Sequence, residues 1–315
     1  MTAPVLVIGC QGQVAQALQR LAPLRLDGRP LLALGRPSLD LSTAPQDLEQ
    51  HLKALIADHQ PSLVINAAAY TAVDRAESEA ELAHAVNARA VGALARICAA
   101  NVIPLFHLST DYVFDGSGEA PWREDDPTGP LGVYGASKLA GERALREAGG
   151  RHLLLRVSWV FGEAGANFVR TMLRLGADRP ALSIVADQIG GPTSAEAIAK
   201  TFLDLVLPAI ADHSPRDSSA PFPWGTYHLA GDPAVSWYGF ATAIFEDAVT
   251  LGLLDRSPQL TAIPSSAYPT PAPRPANSRL DGSAFCQAFG FPMPDWRRDL
   301  RSCLQVWANS TTTAV

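Results

Sequence analysis

The run Val5-Leu6-Val7-Ile8-Gly9-Cys10-Gln11-Gly12-Gln13-Val14-Ala15 decides how the rest of this chain is read. Four consecutive apolar residues read as a buried strand, Gly9 and Gly12 mark a turn, and 12–22 carries a helical pattern. Outward from it, LLALG (31–35) is a second strand, followed by a helical stretch over 45–59. LVINAAA (63–69), a helix over 79–100, and IPLFHLS (103–109) come next. After a long loop, a helix over 134–148 leads into HLLLRVSWV (152–160), a fifth strand. Strands that read as unbroken apolar runs between helices imply a parallel sheet covered on both faces. Right-handed crossovers then give a doubly wound, Rossmann-type α/β fold.

The second half alternates less regularly. Helical patterns at 166–176, 194–211 and 237–253 are separated by Pro-rich stretches. DHSPRDSSAPFPWG (212–225) has the composition of a surface loop. PSSAYPTPAPRPANSR (264–279) carries five prolines, which excludes helix and central strand. The expected organisation is a nucleotide-binding domain over 1–164 and a smaller C-terminal α/β substrate domain over 165–315. Some segments of the second are expected to pack back on the first. TTTAV (311–315) reads as a frayed tail.

Composition narrows the function classes. The 315 residues are 47% hydrophobic and 18% charged, ordinary globular material. A net charge of -6 leaves no basic face to neutralise a phosphate backbone, so nucleic acid is excluded as a partner. No run approaches the roughly 18 apolar residues of a membrane span, and the first residues lack the charged-then-apolar pattern of a leader. The four scattered cysteines (Cys10, Cys98, Cys286, Cys303) form no CxxC pair and no zinc spacing, which suits a cytoplasmic chain. Of 25 basic residues only Lys53, Lys138 and Lys200 are lysines, so the places where Lys persists invite attention.

Chemistry concentrates at strand ends. Gly9, Gln11, Gly12, Gln13 and Val14 form a turn whose amides can approach a pyrophosphate at a positive helix terminus. Ala15 takes the third small position. After the second strand, Arg36 suits a 2′-phosphate where an NAD site carries a carboxylate, so NADPH is the expected cofactor, with NADH the alternative. Asp40 fits either beside an adenine or as a loop cap. Asn66-Ala67-Ala68-Ala69-Tyr70-Thr71 leaves room for a flat cofactor, or equally for tight strand–helix packing. Tyr134 and Lys138 stand at i and i+4 on one helix face, where an ammonium is expected to lower a phenol's pKa. Arginine, with its spread charge, serves less well there. Ser109, Thr110 and Asp111 end the fourth strand, where a hydroxyl can hold a substrate carbonyl.

These residues are similar to those of the extended short-chain dehydrogenase/reductase family, in its dTDP-4-dehydrorhamnose reductase branch. The marks are GCQGQVA (9–15), NAAAYTAVDRAE (66–77), STDYVFDG (109–116) and PLGVYGASKLAGE (130–142). LRVSWVFG (155–162), DQIGGPT (187–193) and RPANSRL (274–280) continue the order over nearly the whole chain. The resemblance implies NAD(P)H-dependent reduction of the C4 ketone of a dTDP-4-keto-6-deoxy sugar. It implies Tyr134 as proton donor, Lys138 beside the nicotinamide ribose and Thr110 on the carbonyl. Asp111 and Trp159 match sugar contacts. Gly12, Gln13, Val14, Asp40, Leu41, Ala69, Tyr70 and Thr71 match cofactor contacts. For the diphosphate, bidentate Arg274 and Arg279 are the candidates, with Arg174 behind them.

Some relatives form dimers bridged by Mg²⁺ through glutamates. Here Ala17 stands at one such position, so no metal is expected despite Glu196; a homodimer of another kind stays open. Two alternatives remain within reach of the motifs. One is a sugar-nucleotide epimerase or dehydratase, although Tyr112 follows Asp111 where dehydratases carry Glu. The other is a non-catalytic regulatory subunit, against which the intact Thr110, Tyr134 and Lys138 argue.

Overall fold

The computed structural model describes residues 2–211 and 221–312. Most of the loop expected at 212–225, and the last three residues of the expected tail, lie outside the described residues. The first half runs β1 (Val5–Ile8), α1 (Gln13–Leu21), β2 (Leu31–Leu34), α2 (Pro45–His59) and β3 (Leu63–Asn66). Short helices α3 (Val73–Ala76) and α4 (Ala80–His84) pass through a π-turn at Ala85–Arg89 into α5 (Ala90–Ala100). Then come β4 (Leu105–Thr110), α6 (Val133–Glu147) and β5 (His152–Val157).

Six parallel strands form the central sheet in the order β10-β5-β4-β3-β1-β2, with β10 at Gly225–His228. The chain steps outward from β1 to β2 and back across to β3, so the crevice of a doubly wound sheet opens at the carboxyl ends of β1 and β3. Alternate residues face opposite layers. Val5, Val7, Leu63 and Ile65 pack toward α1 and α8 (Ala195–Ala211), whereas Leu6, Ile8 and Val64 pack toward α2 and α5. All four residues of β1 and of β3 are buried. Each such Leu or Ile contributes about 1.5–3 kcal/mol by burial, so a polar substitution there strikes both layers' packing.

The sheet recruits chain from beyond the expected domain boundary. β10 pairs with β5, Gly225 opposite Leu153, although it lies some seventy residues later in sequence. The strand expected over 152–160 also breaks. Trp159 takes φ 48°, which turns the chain out of the sheet and starts the short β6 (Val160–Phe161) separately.

The rest of the second half builds a smaller α/β layer. α7 (Phe168–Asp178), β7 (Ala181–Val185), α9 (Trp237–Thr250), β12 (Gln259–Ile263) and α11 (Trp296–Thr312) enclose Phe161, Phe240, Phe245 and Trp296. β6 pairs with β9 (Thr193–Ser194). The Pro-rich segment ends in a two-residue edge strand, β13 (Asn277–Ser278), paired with β8 (Ile189–Gly190), whose other side takes β11 (Val235–Ser236). A short α10 (Ser283–Phe289) places Phe285 against the central sheet's core. No helix among the described residues is long and apolar enough to cross a membrane.

Candidate active site

The turn after β1 has the shape its glycines permit. Gly9 holds φ 104°, and a Cβ there would stand 3.1 Å from the Ala68 nitrogen and 3.3 Å from the Ala67 carbonyl carbon. Both constraints require glycine. Gly12 caps α1 without a side-chain hydrogen bond, and the first turn holds no acidic residue. A Cβ on Gly12 would meet only the Ala67 oxygen, at 4.0 Å. The amides of Gln13 and Val14 thus begin an uncapped, open helix terminus, which suits a pyrophosphate. Gln13 reaches across to the second half, where its Oε1 accepts from Asn167 Nδ2 at 3.1 Å. Arg36 is exposed at the end of β2, close enough to Asp40 to act on its charge. Asp40 itself caps its loop, accepting from the Ser42 nitrogen at 2.9 Å and hydroxyl at 2.6 Å. Those bonds, and then the Arg36 charge, hold its carboxyl below the usual range. Leu41 is buried against α2.

After β3, Ala67, Ala69 and Tyr70 are half-buried and Thr71 is exposed. Asn87, in the π-turn, grips this loop at both ends of one residue: Tyr70 N donates to its Oδ1 at 2.8 Å and its Nδ2 donates to Tyr70 O at 3.0 Å. The same Nδ2 reaches the Ser137 hydroxyl at 3.0 Å, between Tyr134 and Lys138 on α6. Glu77 takes the Val133 amide at 2.9 Å and so anchors the start of α6.

Thr110, Asp111, Tyr134 and Lys138 come together where β4 ends beside α6. The Thr110 hydroxyl donates to Asp111 Oδ1 at 3.0 Å and lies within hydrogen-bonding influence of the Tyr134 phenol. Tyr112 packs edge-on against the Tyr134 ring, centroids 5.4 Å apart. Lys138 is 2% exposed and donates to the Leu108 carbonyl at 2.7 Å. Burial pushes its ammonium down to about 8, with the Glu142 charge working the other way. The lowering expected for Tyr134 is reversed: burial drives the phenol above its ordinary value, and only Thr110 pulls it back. Desolvation of the ring is the dominant effect, and the neighbouring Asp111 and Tyr112 push the same way. Burial also lifts Asp111 to about 6.

Beneath these groups lies a buried network that the sequence reading does not contain. Glu142 accepts from the Ser109 hydroxyl at 2.5 Å and from Arg156 at 2.8 and 3.0 Å. Arg156 continues to His228 Nε2 at 3.3 Å and lies over the Phe114 ring. Its signal in the sequence is an Arg inside an apolar strand, which demands a buried carboxylate.

The second half supplies a wall. Trp159 stacks on Trp237 with centroids 3.5 Å apart, and a Cβ on Gly190 would meet the Trp159 ring at 2.6 Å. Arg274 is held by Asp74 at 2.8 Å, leaving its Nη1 buried without a partner among the described residues. Arg279 donates to the Glu119 carbonyl at 2.9 Å. Arg174 is exposed on α7, the helix whose Phe168 packs against Trp237. Among the described residues no group of three or more His, Cys, Asp or Glu could hold a metal ion. At Glu196, Arg20 bridges instead, 2.8 Å from it and 2.7 Å from Glu163.

Comparisons with known proteins identify the family. A family model described as the RmlD substrate binding domain matches residues 2–309. The dTDP-4-dehydrorhamnose reductase of Escherichia coli (strain K12) is 41% identical over 317 residues, covering 99% of each chain. That of Aggregatibacter actinomycetemcomitans is 42% identical over 301 residues, covering 95% of this chain and 98% of that one. The crystal structure of dTDP-4-dehydrorhamnose reductase from Bacillus anthracis in complex with NADP matches with a TM-score of 0.83 at 29% identity. It covers 96% of this chain and 98% of that chain. With near-complete coverage in sequence and in structure, the chain belongs to the dTDP-4-dehydrorhamnose reductase family.

Proposed function

We propose that this protein reduces the C4 ketone of dTDP-6-deoxy-L-lyxo-4-hexulose to dTDP-L-rhamnose with NADPH. The observation that carries the reading is the Thr110 hydroxyl, set between Asp111 and the Tyr134 phenol at the carboxyl end of β4. A ketone oxygen placed there meets a hydroxyl donor and a phenolic acid together. When bound, NADPH supplies a hydride to C4. Tyr134 gives its proton to the oxygen as negative charge develops on it, and burial suits it to this direction. A phenol held above its ordinary pKa keeps its proton until an oxyanion stronger than itself appears. Lys138 keeps a positive charge beneath the phenol and offers its remaining donors to a ribose. Trp159, on its Trp237 support, covers the sugar's apolar face.

The uncapped α1 terminus at Gly12, the Ala67–Thr71 loop and Arg36 hold the dinucleotide, with Arg36 on the 2′-phosphate. Arg274 and Arg279 take the sugar nucleotide's diphosphate from the segment that flanks Asp111. Four free thiols fit work in the cytoplasm. The test is oxidation of NADPH by purified protein with the 4-keto sugar nucleotide, followed at the nicotinamide absorbance. Turnover that depends on that substrate is expected. A protein that turns over sugar nucleotides with tightly held, recycled NAD and no added NADPH would instead be an epimerase or dehydratase.

A further inference from the structure

One face of the small β11-β8-β13 sheet seats both tryptophans of the wall. β8 runs antiparallel to β11, with Val235 opposite Gly190 and Ser236 opposite Ile189. One step further along the same alignment, Trp237 comes opposite Gln188, so the two side chains leave the sheet on one side. Gly190, two residues after Gln188, belongs to that side by the alternation of a strand. Its missing Cβ makes room for the other indole, since a Cβ there would stand 2.6 Å from Trp159 Cε2. The two rings then stack 3.5 Å apart and within 8° of parallel. Gln188 holds the second ring through a chain of hydrogen bonds that has one possible polarity. The Trp237 indole nitrogen can only donate, and it donates to Gln188 Oε1 at 3.2 Å. The other end of the amide, Nε2, donates to Ser265 Oγ at 2.9 Å. Ser265 accepts there because its own hydroxyl proton goes to Asp187 Oδ1 at 2.6 Å, and its backbone nitrogen meets the same carboxylate at 2.9 Å. A flipped amide would set its NH₂ against the indole N–H, donor against donor.

We infer that Gln188 is a positioning residue for the sugar: it fixes the ring of Trp237, and through the stack that of Trp159, and ties this wall to the Pro-rich segment that begins beside Ser265. The inference rests on the reductase reading, in which Trp159 covers the sugar. Gln188 touches neither sugar nor cofactor in this account and acts through Trp237. The same Pro-rich segment carries Arg274 and Arg279, so the sugar wall and the proposed diphosphate arginines share one anchor at Asp187 and Ser265. A wall held in one orientation contacts the sugar ring alike in the ground state and the transition state. Loosening it therefore raises KM for the sugar nucleotide and leaves kcat in place.

The experiment is a double-mutant cycle read in KM for the 4-keto sugar nucleotide, with NADPH binding measured alongside as a check on folding. Gln188→Met keeps the length of the side chain and loses both hydrogen bonds, and Trp237→Phe keeps an aromatic ring and loses the indole N–H. In the otherwise wild-type protein, Gln188→Met is expected to raise KM about 3- to 10-fold, the effect of a neutral hydrogen bond or two, with kcat within about 2-fold. In the Trp237→Phe background the same change is expected to move KM by less than about 2-fold, because the group it acts through is gone. NADPH affinity stays as it was. Ser265→Ala removes only the far anchor and is expected to raise KM in the same direction, which keeps the assignment testable should Gln188→Met fold poorly. Equal KM increases in both backgrounds, or a KM unmoved by Gln188→Met and Ser265→Ala alike, overturn the assignment while the reductase reading stands. A wild type that oxidises no NADPH with the sugar nucleotide overturns the reductase reading itself.

Discussion

The carboxylate of Glu142 and the guanidinium of Arg156 meet at 2.8 Å with 0% and 3% of their side chains exposed, one helical turn beyond Lys138. Removing one partner of such a pair strands the other in a medium that cannot solvate it, at a cost of about 3–5 kcal/mol. Glu142→Ala is therefore expected to lower stability by that amount in urea unfolding. Glu142→Gln preserves shape and tests the electrostatics. The Glu142 charge raises the Lys138 ammonium against the effect of burial. Its loss lets Lys138 fall further below about 8, so the alkaline limb of the kcat/KM profile moves to lower pH. An unmoved limb would separate Glu142 from Lys138.

Tyr134→Phe removes the proton donor and leaves the ring that packs on Tyr112. Turnover is expected to fall by about 10²- to 10⁴-fold, the range for a positioned general acid. NADPH affinity, read by fluorescence titration, stays within a small factor. A variant with normal turnover would remove Tyr134 from the chemistry.

Arg36 is exposed, with the Asp40 charge nearby and Asp40 already engaged by Ser42. Its guanidinium has no side-chain hydrogen bond among the described residues and can take a 2′-phosphate, a charged hydrogen bond worth about 1.5–3 kcal/mol. Arg36→Ala is expected to raise the KM for NADPH by about 10- to 100-fold and to leave that for NADH nearly unchanged. Equal effects on the two cofactors would place Arg36 away from the 2′ position.

How much of this is legible in the sequence depends on the distance over which each relationship is written. The alternation of apolar strands and helices yields the parallel sheet, because each strand is a short local run. Thr110 and Asp111 adjoin in the chain, and Tyr134 and Lys138 share a helix face by spacing alone. β10 escapes, being four residues of mixed polarity that become a strand only because β5 offers an open edge. Trp159 escapes for a different reason: its left-handed φ of 48° is unusual for an aromatic residue, and the apolar run around it reads as continuous strand. Asn87 with Tyr70 and Ser137, and Glu142 with Arg156, act across many residues of sequence, and no local pattern announces their partners. The Tyr134 shift misleads because spacing shows the nearby charge and hides the burial.

Asp111 carries a stability signature that can be separated from its role in binding. Its folded pKa is raised from 3.8 to about 6 because burial disfavours the charged form. A raised carboxyl favours folding fully only below the unfolded pKa, and that contribution is lost as pH rises through the folded value. Two units correspond to about 3 kcal/mol. Asp111→Asn escapes the penalty, so it is expected to melt above the wild type at pH 8, with the gap closing as pH falls from about 6 toward 4. Its turnover drops all the same. A melting difference independent of pH would refute the account.

The last expectation concerns metal removal. Arg20 places one nitrogen 2.7 Å from Glu163 and another 2.8 Å from Glu196, so the charge between these two carboxylates is a guanidinium belonging to the chain. Burial raises Glu196, the Glu163 charge raises it further, and Arg20 pulls it down. Ala17, one helical turn earlier on α1, is buried and offers no oxygen to a cation. A divalent ion entering there would have to displace Arg20, whose guanidinium already neutralises both carboxylates. Activity is therefore expected to be unchanged, within about 2-fold, after dialysis against EDTA and again on adding Mg²⁺. Arg20 is 46% exposed, so Arg20→Ala should cost no more than about 1 kcal/mol of stability. Turnover that vanished with EDTA and returned with Mg²⁺ would sink this account and place a cation where the guanidinium now stands.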